Sequence, residues 1–454
     1  MGSAFSRSLL PLLAAGLVAA PPALDRIAEA GGHPARVPFR ATSYVEREGV
    51  RYRVSDERSG NLRLLRECAD DLCAGTWFDG QRLFTLGING DRFPAGDAPT
   101  QAARTVDAID SLRFAEPNFA GTVRPAGANA YTVRADGGSA AVVAVDAATD
   151  LPTAVRTGGD DLPIVYAVPE RFEGAAILSE VPFERIERLA HPPVPPQPPA
   201  VAFGPPGRIA FVPGARLAIV PCRLETLALR CLFDTGTSPS SVSLAVAERL
   251  NREPQGHILV HSLDSYPSGT ISAGPIEIGT VSVGRLHYAV IPSTRDRGYD
   301  VVLGSDVLGS LRLELDLVDH RLALVPSGGR TAGITLPLAF ENGLPYTSIA
   351  IGGEQQSALL DTGDEALVAI GYDAYRRNAT FAAHQAGRVS GVLGASDTLA
   401  GEAPGVRIGS LDLGTQRIVI VRSEHVAHVG LGLALRCATL GIDLDAARID
   451  CVPR

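Results

Sequence analysis

The sequence predicts a mainly β protein in which two pseudo-symmetric C-terminal halves follow a separate β-rich N-terminal domain. Short runs that alternate apolar and polar residues, such as 50–54 and 130–134, are separated by Gly, Asp and Asn, which is typical of antiparallel strands. The tripeptide Asp-Thr-Gly occurs at 234–236 and again at 361–363, a shift of 127 residues, each time after an apolar run. The repeat predicts two related halves, and two similar carboxylate-bearing loops predict one shared site.

The order of domains follows from composition along the chain. Arg7 precedes the apolar stretch 9–20, as in a secretory signal peptide; a membrane anchor or a buried helix is the alternative interpretation. A proline-rich segment is typical of an extended linker. The predicted parts are a signal peptide at 1–23, a β-rich N-terminal domain of unknown role at 24–190, the linker at 191–206, and the two halves at 207–329 and 330–454.

The composition excludes several function classes. A formal net charge of −9 without any basic run argues against nucleic acid or an anionic membrane surface as a partner. The sequence contains no lysine, which excludes a phosphate-binding loop ending in Gly-Lys, a Schiff-base enzyme and a Ser-x-x-Lys hydrolase. After signal removal, no segment is long and apolar enough to predict a stable membrane span.

The cysteines form three close pairs in the sequence: Cys68 with Cys73, Cys222 with Cys231, and Cys437 with Cys451. Such pairs suit disulfides in an oxidising compartment, and so predict a periplasmic or secreted protein; free buried thiols are the alternative. Cys222 and Cys231 flank a predicted turn, so they would face each other across a hairpin just before Asp234. No pair has zinc-type spacing with a second pair in range, and no metal is predicted.

Two carboxylates held close together can supply both an acid and a base. Hydrolysis of a peptide bond by water needs a base to take a proton from the water and an acid to protonate the carbonyl oxygen or the leaving nitrogen. Like charges a few ångströms apart do not both ionise cheaply, so such a pair shares one proton and its two pKa values separate. We therefore predict that Asp234 and Asp361 are catalytic and activate one water.

The residues around the two loops resemble the retropepsin-like (pepsin and retropepsin type) aspartic protease family, in a bacterial form duplicated within one chain. The resemblance rests on Leu-Phe-Asp-Thr-Gly-Thr at 232–237 with Val-Val-Leu-Gly at 301–304, and on Leu-Leu-Asp-Thr-Gly at 359–363 with Val-Gly-Leu-Gly at 429–432. It covers 207–454. It implies a bilobal pair of acid-protease-like β-barrels, an endopeptidase acting on a peptide or protein substrate, no cofactor, and an active site that does not require dimerisation.

Six further residues are predicted to support the catalytic loops: Thr235, Gly236, Thr237, Thr362, Gly363 and Asp364. Each Asp-Thr-Gly threonine can hydrogen-bond to the facing loop, and each glycine lets the chain turn beside the carboxylate. Thr237 can donate to the outer oxygen of Asp234. Asp364 stands at the equivalent position of the second half: pointing inward and ionised it would raise the pKa values of the pair, protonated it would donate as a hydroxyl does, and pointing to solvent it would have no effect.

The family resemblance also implies a mobile β-hairpin flap in each half. In the first half the segment 265–270 contains Tyr266 and Gly269, and in the second half the segment 390–394 contains Gly391; these three residues are predicted to bind substrate. An ordinary hairpin turn is the alternative for both segments. One helix is predicted after each Asp-Thr-Gly loop, at 243–250 and 372–377.

The histidines receive no catalytic prediction. His257 and His261 flank residues typical of a strand, and His425 and His428 lack cysteine or carboxylate ligands at metal spacing, so a structural role is predicted for each. The predicted function is an aspartic endopeptidase. The alternative is a catalytically weak or inactive protease-fold protein of the cell envelope that binds peptides.

Overall fold

The computed structural model describes residues 24–32, 37–47, 49–158, 163–167, 169–261, 265–292, 298–377, 381–390, 395–422 and 426–454. The predicted signal peptide and Gly391 lie outside these residues. Contacts divide the chain into two compact units, Met1–Val37 with Gln101–Phe183, and Pro38–Thr100 with Glu184–Arg454. The structure is mainly β, as predicted.

The helices are α1 (Leu24–Gly31), α2 (Asp97–Asp110), α3 (Leu244–Arg249), α4 (Ser305–Leu308) and α5 (Tyr372–Arg377), with 3₁₀ helices at Arg113–Ala115 and Leu431–Arg436. The strands before the proline-rich segment are β1 (Phe39–Arg47), β2 (Val50–Ser59), β3 (Leu62–Ala69), β4 (Leu72–Phe78), β5 (Leu83–Leu86), β6 (Arg92–Pro94), β7 (Gly121–Gly127), β8 (Ala130–Ala135), β9 (Ala141–Val145), β10 (Pro152–Arg156), β11 (Ile164–Val165), β12 (Glu170–Phe172), β13 (Ala175–Ile177) and β14 (Arg185–Arg188).

The strands of the first predicted half and of the segment that leads into it are β15 (Val201–Phe203), β16 (Ile209–Ala210), β17 (Ile219–Leu224), β18 (Leu227–Phe233), β19 (Ser241–Ser243), β20 (Gln255–His261), β21 (Ser265–Ala273), β22 (Ile276–Ile278), β23 (Val281–Val283), β24 (Leu286–Ile291), β25 (Val301–Leu303), β26 (Arg312–Asp316) and β27 (Arg321–Val325). Those of the second half are β28 (Ile334–Pro337), β29 (Ala339–Glu341), β30 (Leu344–Ile351), β31 (Glu354–Asp361), β32 (Val368–Gly371), β33 (His384–Ser390), β34 (Ala395–Ile408), β35 (Leu411–Val421), β36 (Ala427–Gly430), β37 (Cys437–Asp443) and β38 (Arg448–Pro453).

The smaller unit contains a five-stranded sheet in the order β11-β10-β9-β8-β7 and the hairpin of β12 and β13. Alternate residues of its strands, among them Val133 and Val143, are fully buried with Ile27 of α1 and Ile109 of α2. The period-two pattern of these strands therefore gives one face to a small core of their own.

The larger unit begins with a seven-stranded sheet in the order β14-β1-β2-β3-β4-β5-β6. Its strands lie within the predicted 24–190 domain, yet they share a compact unit with 184–454. The last strand of this sheet contacts the second half of the repeat. Phe93 of β6 is 2% exposed and stacks on Phe340 at a ring-centroid distance of 4.7 Å. The compact units thus divide the chain differently from the predicted boundary at the proline-rich segment.

Two further sheets of this unit repeat one strand order. A ten-stranded sheet contains the series β17-β18-β25-β19-β24-β21-β20, and an eight-stranded sheet contains the series β30-β31-β36-β32-β35-β34-β33. In both series the strand that leads into Asp-Thr-Gly, β18 or β31, pairs in parallel with a short strand from later in the chain, β25 or β36. The repeat in the sequence therefore corresponds to a repeat in strand pairing.

A six-stranded sheet, β16-β27-β26-β37-β38-β28, combines strands of both predicted halves. In it β26 pairs with β37, and the buried Arg312 of β26 lies 2.7 Å from Asp450 of β38. Because a buried ion pair is stable only when its hydrogen bonds are satisfied, the additional bonds from Arg312 to Gly329 and from Thr335 to Asp450 matter here.

Three disulfides are present, and they join the pairs that the sequence predicts: Cys68–Cys73, Cys222–Cys231 and Cys437–Cys451. The second links β17 to β18 across the predicted hairpin just before Asp234. The two predicted helices are also present as α3 and α5. Among the described residues, no helix is both long and apolar enough to span a membrane.

Candidate active site

The two Asp-Thr-Gly loops begin where β18 and β31 end. Asp234 directly follows β18, and its N–H donates to the Leu303 carbonyl of β25 at 3.0 Å; Asp361 is the last residue of β31 and is paired with Gly430 of β36. Both residues are partly exposed, and the Asp361 side chain is 17% exposed. Apolar strands therefore bring each aspartate to the edge of a core.

Reciprocal hydrogen bonds join the two loops. The Thr235 N–H donates to Oγ1 of Thr362 at 3.0 Å, and the Thr362 N–H donates to Oγ1 of Thr235 at 3.1 Å. The Thr235 hydroxyl donates to the Leu360 carbonyl at 2.6 Å, and the Thr362 hydroxyl donates to the Phe233 carbonyl at 2.9 Å. Each threonine therefore uses its hydroxyl as donor and acceptor toward the facing loop, which is the cross-connection expected from the sequence.

Each loop glycine lies against the carboxyl group of the other loop. A Cβ at Gly236 would lie 2.7 Å from Cγ of Asp361, and a Cβ at Gly363 would lie 2.6 Å from Oδ2 of Asp234. No side chain larger than hydrogen fits at such distances. The N–H groups of these glycines donate to the aspartates of their own loops, each at 2.9 Å. The glycines thus permit the two carboxyl groups to meet and supply one hydrogen bond to each.

The environment of Asp234 favours its protonated form. Burial and then the charge of Asp361 raise the pKa of Asp234 well above its ordinary value, against the opposing effects of the Gly236 N–H and of His428. A carboxyl group with such a pKa keeps its proton under conditions in which an exposed aspartate has lost it. Asp234 is therefore suited to donate a proton.

Asp361 has the opposite tendency because of a histidine. Burial by itself would raise its pKa, but a hydrogen bond and positive charge from His428, with smaller contributions from Asp234 and the Gly363 N–H, hold the pKa of Asp361 below its ordinary value. Nδ1 of His428 lies 3.3 Å from Oδ2 of Asp361, and the two side chains are 15% and 17% exposed. Asp361 is therefore suited to accept a proton.

The sequence predicts a structural role for His428, whereas in the structure His428 lies beside Asp361. The residues next to His428 in the sequence do not indicate a role in the site. The parallel pairing of β31 with β36 is what brings His428 close to Asp361. The strand pairing matches 301–304 of the first half with 427–430, two residues before the stretch 429–432 that the sequence comparison predicts, and this places His428 opposite Val302 in the repeat.

The residues that follow the two tripeptides differ in their contacts. The Thr237 carbonyl accepts a hydrogen bond from the Ser305 N–H at 2.9 Å, while donation by its hydroxyl to Asp234 stays a prediction. Oδ1 of Asp364 accepts from the Ala366 N–H at 2.8 Å, within its own loop. This bond engages one oxygen of Asp364 within its own loop, and an effect of Asp364 on the pKa values of the pair stays a prediction.

A network of hydrogen bonds between buried polar residues lies next to the first Asp-Thr-Gly loop. Asp306 of α4 accepts from the Ser240 N–H at 2.9 Å and from its hydroxyl at 2.6 Å, and the Ser240 hydroxyl in turn accepts from the Gly304 N–H. Asn89, which precedes β6, donates to Oδ2 of Asp306 at 2.7 Å and exchanges two hydrogen bonds with the backbone of His287. Nothing in the sequence indicates this contact of Asn89, because Asn89 lies far from Asp306 along the chain.

Both predicted flap segments belong to hairpins. Tyr266 and Gly269 lie on β21, which pairs with β20, and the second predicted segment adjoins the pair β33 and β34. The tips of both hairpins, and the side chain of Tyr266, lie outside the described residues. Contact of these residues with a substrate stays a prediction.

No protein-family model matches this chain, and no curated protein matches it in sequence. Within the part of the chain that the structure describes, no group of three or more His, Cys, Asp or Glu side chains is arranged to hold a metal ion. The site is therefore interpreted from its own geometry: two carboxyl groups of opposite protonation tendency, held between two joined loops.

Proposed function

We propose that this protein is an aspartic endopeptidase that hydrolyses peptide bonds with water activated between Asp234 and Asp361. The observation that carries the proposal is the reciprocal joining of the two Asp-Thr-Gly loops, which sets each carboxyl group against the glycine of the other loop. The opposite pKa directions of the two carboxyl groups supply one acid and one base in the same place.

The reaction uses both groups twice. The Asp361 carboxylate takes a proton from water while the water oxygen bonds to the peptide carbonyl carbon, and Asp234 gives its proton to the carbonyl oxygen. The product of this step is a tetrahedral diol. Asp361 then protonates the peptide nitrogen, the carbon–nitrogen bond breaks, and one hydroxyl of the diol returns a proton to Asp234, which restores both groups to their starting forms.

The proposed architecture is the bilobal, pseudo-symmetric acid-protease fold, and the repeated strand order of the two sheets supports it. Each lobe supplies one aspartate from the same chain, so the site needs no dimer. Three disulfides support a location outside the cytoplasm, in the periplasm or the surrounding medium, because disulfides persist in oxidising compartments.

The test is hydrolysis of a diverse peptide library by the purified protein across acidic and neutral pH. The comparison proteins are Asp234→Asn, Asp361→Asn and, as a matched control, Asp319→Asn, which replaces an exposed aspartate of the turn between β26 and β27. We expect cleavage by the wild type and by Asp319→Asn, and none by the other two. A statine-type inhibitor, which mimics the tetrahedral diol, is expected to stop cleavage.

The alternative of a non-catalytic peptide-binding protein gives a different result in the same experiment. Peptides would then bind the folded wild type without being cut, and Asp234→Asn would bind them as well as the wild type does. Cleavage that persists in both site variants would contradict the proposed mechanism, because no other acid and base pair has been assigned to it.

A further inference from the structure

His428 occupies a position where the two halves of the larger unit differ. Leu232 of β18 pairs with Val302 of β25, and Leu359 of β31 pairs with His428 of β36. Because Leu232 and Leu359 are equivalent in the repeat, Val302 and His428 are equivalent too. Val302 is 1% exposed and packs in an apolar cluster, whereas His428 points to a carboxyl group of the candidate site.

The asymmetry matters because the rest of the pair is nearly symmetric. Each aspartate receives one N–H from its own glycine at the same distance of 2.9 Å, and each faces the glycine of the other loop. Backbone hydrogen bonds of equal length do not decide which aspartate keeps the shared proton. A cation beside one of them does, since an opposite charge a few ångströms away favours the ionised carboxylate.

We propose that His428 is a positioning residue of the active site, whose imidazolium, with Nδ1 3.3 Å from Oδ2 of Asp361, keeps Asp361 as the ionised base and leaves the shared proton on Asp234. This inference rests on the proposed function for its kinetic consequences. The electrostatic interaction between His428 and Asp361 can be measured in the absence of peptide hydrolysis.

Among the residues that the structure describes, the ionisable groups near His428 come from β31 and from two loops. β36 lies between β31 and β32, of which β31 brings Asp361 and β32, with the sequence Val-Ala-Ile-Gly, brings none. The facing loop brings Asp234. The positive charge of His428 also lowers the pKa of Asp234, but burial and the charge of Asp361 outweigh that effect, so the net asymmetry is retained.

The loop between β31 and β32 carries two further acidic groups, Asp364 and Glu365. Asp364 accepts the Ala366 N–H within its loop, and Glu365 lies 3.6 Å from Arg216, with both side chains of that pair largely exposed. A screened surface pair of this kind has little influence on a neighbouring site. Among these groups, Asp361 has its Oδ2 at 3.3 Å from Nδ1 of His428.

The kinetic test compares the pH dependence of kcat/KM in the wild type, His428→Gln and His428→Val. Glutamine retains a donor for Asp361 without the charge, and valine reproduces the residue of the first half. We expect the acidic limb of the profile to move to higher pH by about one unit or more in both variants, because Asp361 loses the cation that keeps it ionised. We also expect glutamine to retain more of the maximal kcat than valine. His191→Gln, at an exposed histidine of the proline-rich segment, is the matched control.

A second measurement needs no activity. The imidazole signals of His428, assigned by their loss in His428→Gln, are followed by NMR over a pH titration in the wild type and in Asp361→Asn. We expect the titration midpoint of His428 to move to lower pH when the carboxylate is removed. An unchanged midpoint, or acidic limbs that coincide in all three proteins, would overturn the role of His428. Absence of cleavage by the wild type with a shifted midpoint would instead contradict the proposed function alone.

Discussion

At the scale of single residues, the two threonines determine how the carboxyl groups face each other. Thr235 is fully buried and Thr362 nearly so, and the N–H and the hydroxyl of each are used between the loops. Buried hydroxyls with satisfied hydrogen bonds stabilise a unique arrangement, and loss of one leaves its partners unpaired in a place that water does not reach. The distance between the carboxyl groups therefore depends on residues that take no part in proton transfer.

Replacement of Thr235 by valine tests this dependence. The variant has nearly the same volume but leaves the Leu360 carbonyl and the Thr362 N–H without their partner, so we expect the free energy of unfolding to fall by about 2 to 4 kcal/mol. Urea denaturation followed by fluorescence measures this change. Thr235→Ser, which retains the hydroxyl, is the control and should lose less; equal stability of the two variants would show that the inter-loop hydrogen bonds contribute nothing.

The sequence predicts the contacts between the two Asp-Thr-Gly loops because the residues that make them stand next to each other in the chain. It does not predict the place of His428, because the contact with Asp361 depends on which strand lies beside β31, and nothing local in the sequence states that. Asn89 was missed for the same reason. Residues that act through a neighbouring strand become visible only when the sheet order is known.

At the scale of elements, β18 connects a disulfide to the first Asp-Thr-Gly loop. Cys231 of β18 is fully buried, lies three residues before Asp234, and is joined to Cys222 of β17. The strand is also paired in parallel with β25, which carries the Val-Val-Leu part of the family-like motif. The disulfide to β17 and the hydrogen bonds to β25 therefore fix the position of β18, which directly precedes Asp234.

Removal of this disulfide should affect both stability and the site. The bond spans a sequence separation of 9, and we expect the double variant Cys222→Ala/Cys231→Ala to lose about 2 to 4 kcal/mol of unfolding free energy. Under conditions in which it remains folded, its kcat/KM for a cleaved peptide should also fall. The matched control is Cys68→Ala/Cys73→Ala, in the hairpin of β3 and β4, for which we expect a loss of stability alone. Equal activity of the two double variants would argue against a role of the β17–β18 disulfide in the site.

The hairpins, cysteine pairs and helices were predictable at this scale because each depends on residues close in sequence. The grouping of strands into compact units was not. The proline-rich segment indicated a boundary, but Phe93 packs on Phe340 and Asn89 bonds to Asp306, and both contacts cross that segment. A linker composition predicts an extended chain and does not show which sheets share a core.

At the scale of the whole molecule, buried acidic groups couple the seven-stranded sheet to the ten-stranded sheet and to α4 beside it. Asp91 is 4% exposed, and burial followed by the charge of Asp306 raises its pKa to about 7. Burial likewise raises the pKa of Asp306, against hydrogen bonds from Ser240 and Asn89. Ionisation of both groups is therefore unfavourable in the folded protein.

This coupling predicts a pH dependence of stability. Asp91 binds its proton more tightly in the folded chain than in the unfolded one, so its contribution is full below the ordinary value of 3.8 and is lost as the pH rises toward about 7. Asp91→Asn, which is neutral throughout, should remove much of this decline, which amounts to at most about 4 kcal/mol. Thermal unfolding across this range measures it, with the exposed Asp71→Asn as control. Parallel stability curves for Asp91→Asn and the wild type would contradict the assignment.

The central claim is that Asp234 and Asp361 form one catalytic unit, and its most direct test is kcat/KM for a cleaved peptide in Asp234→Asn, Asp361→Asn and the double variant. Residues that act together are strongly non-additive, so we expect each single variant to lose at least about a thousandfold and the double variant to lose no more than either. Retained cleavage in a single variant, or losses that multiply in the double variant, would mean that the two carboxyl groups do not share one reaction.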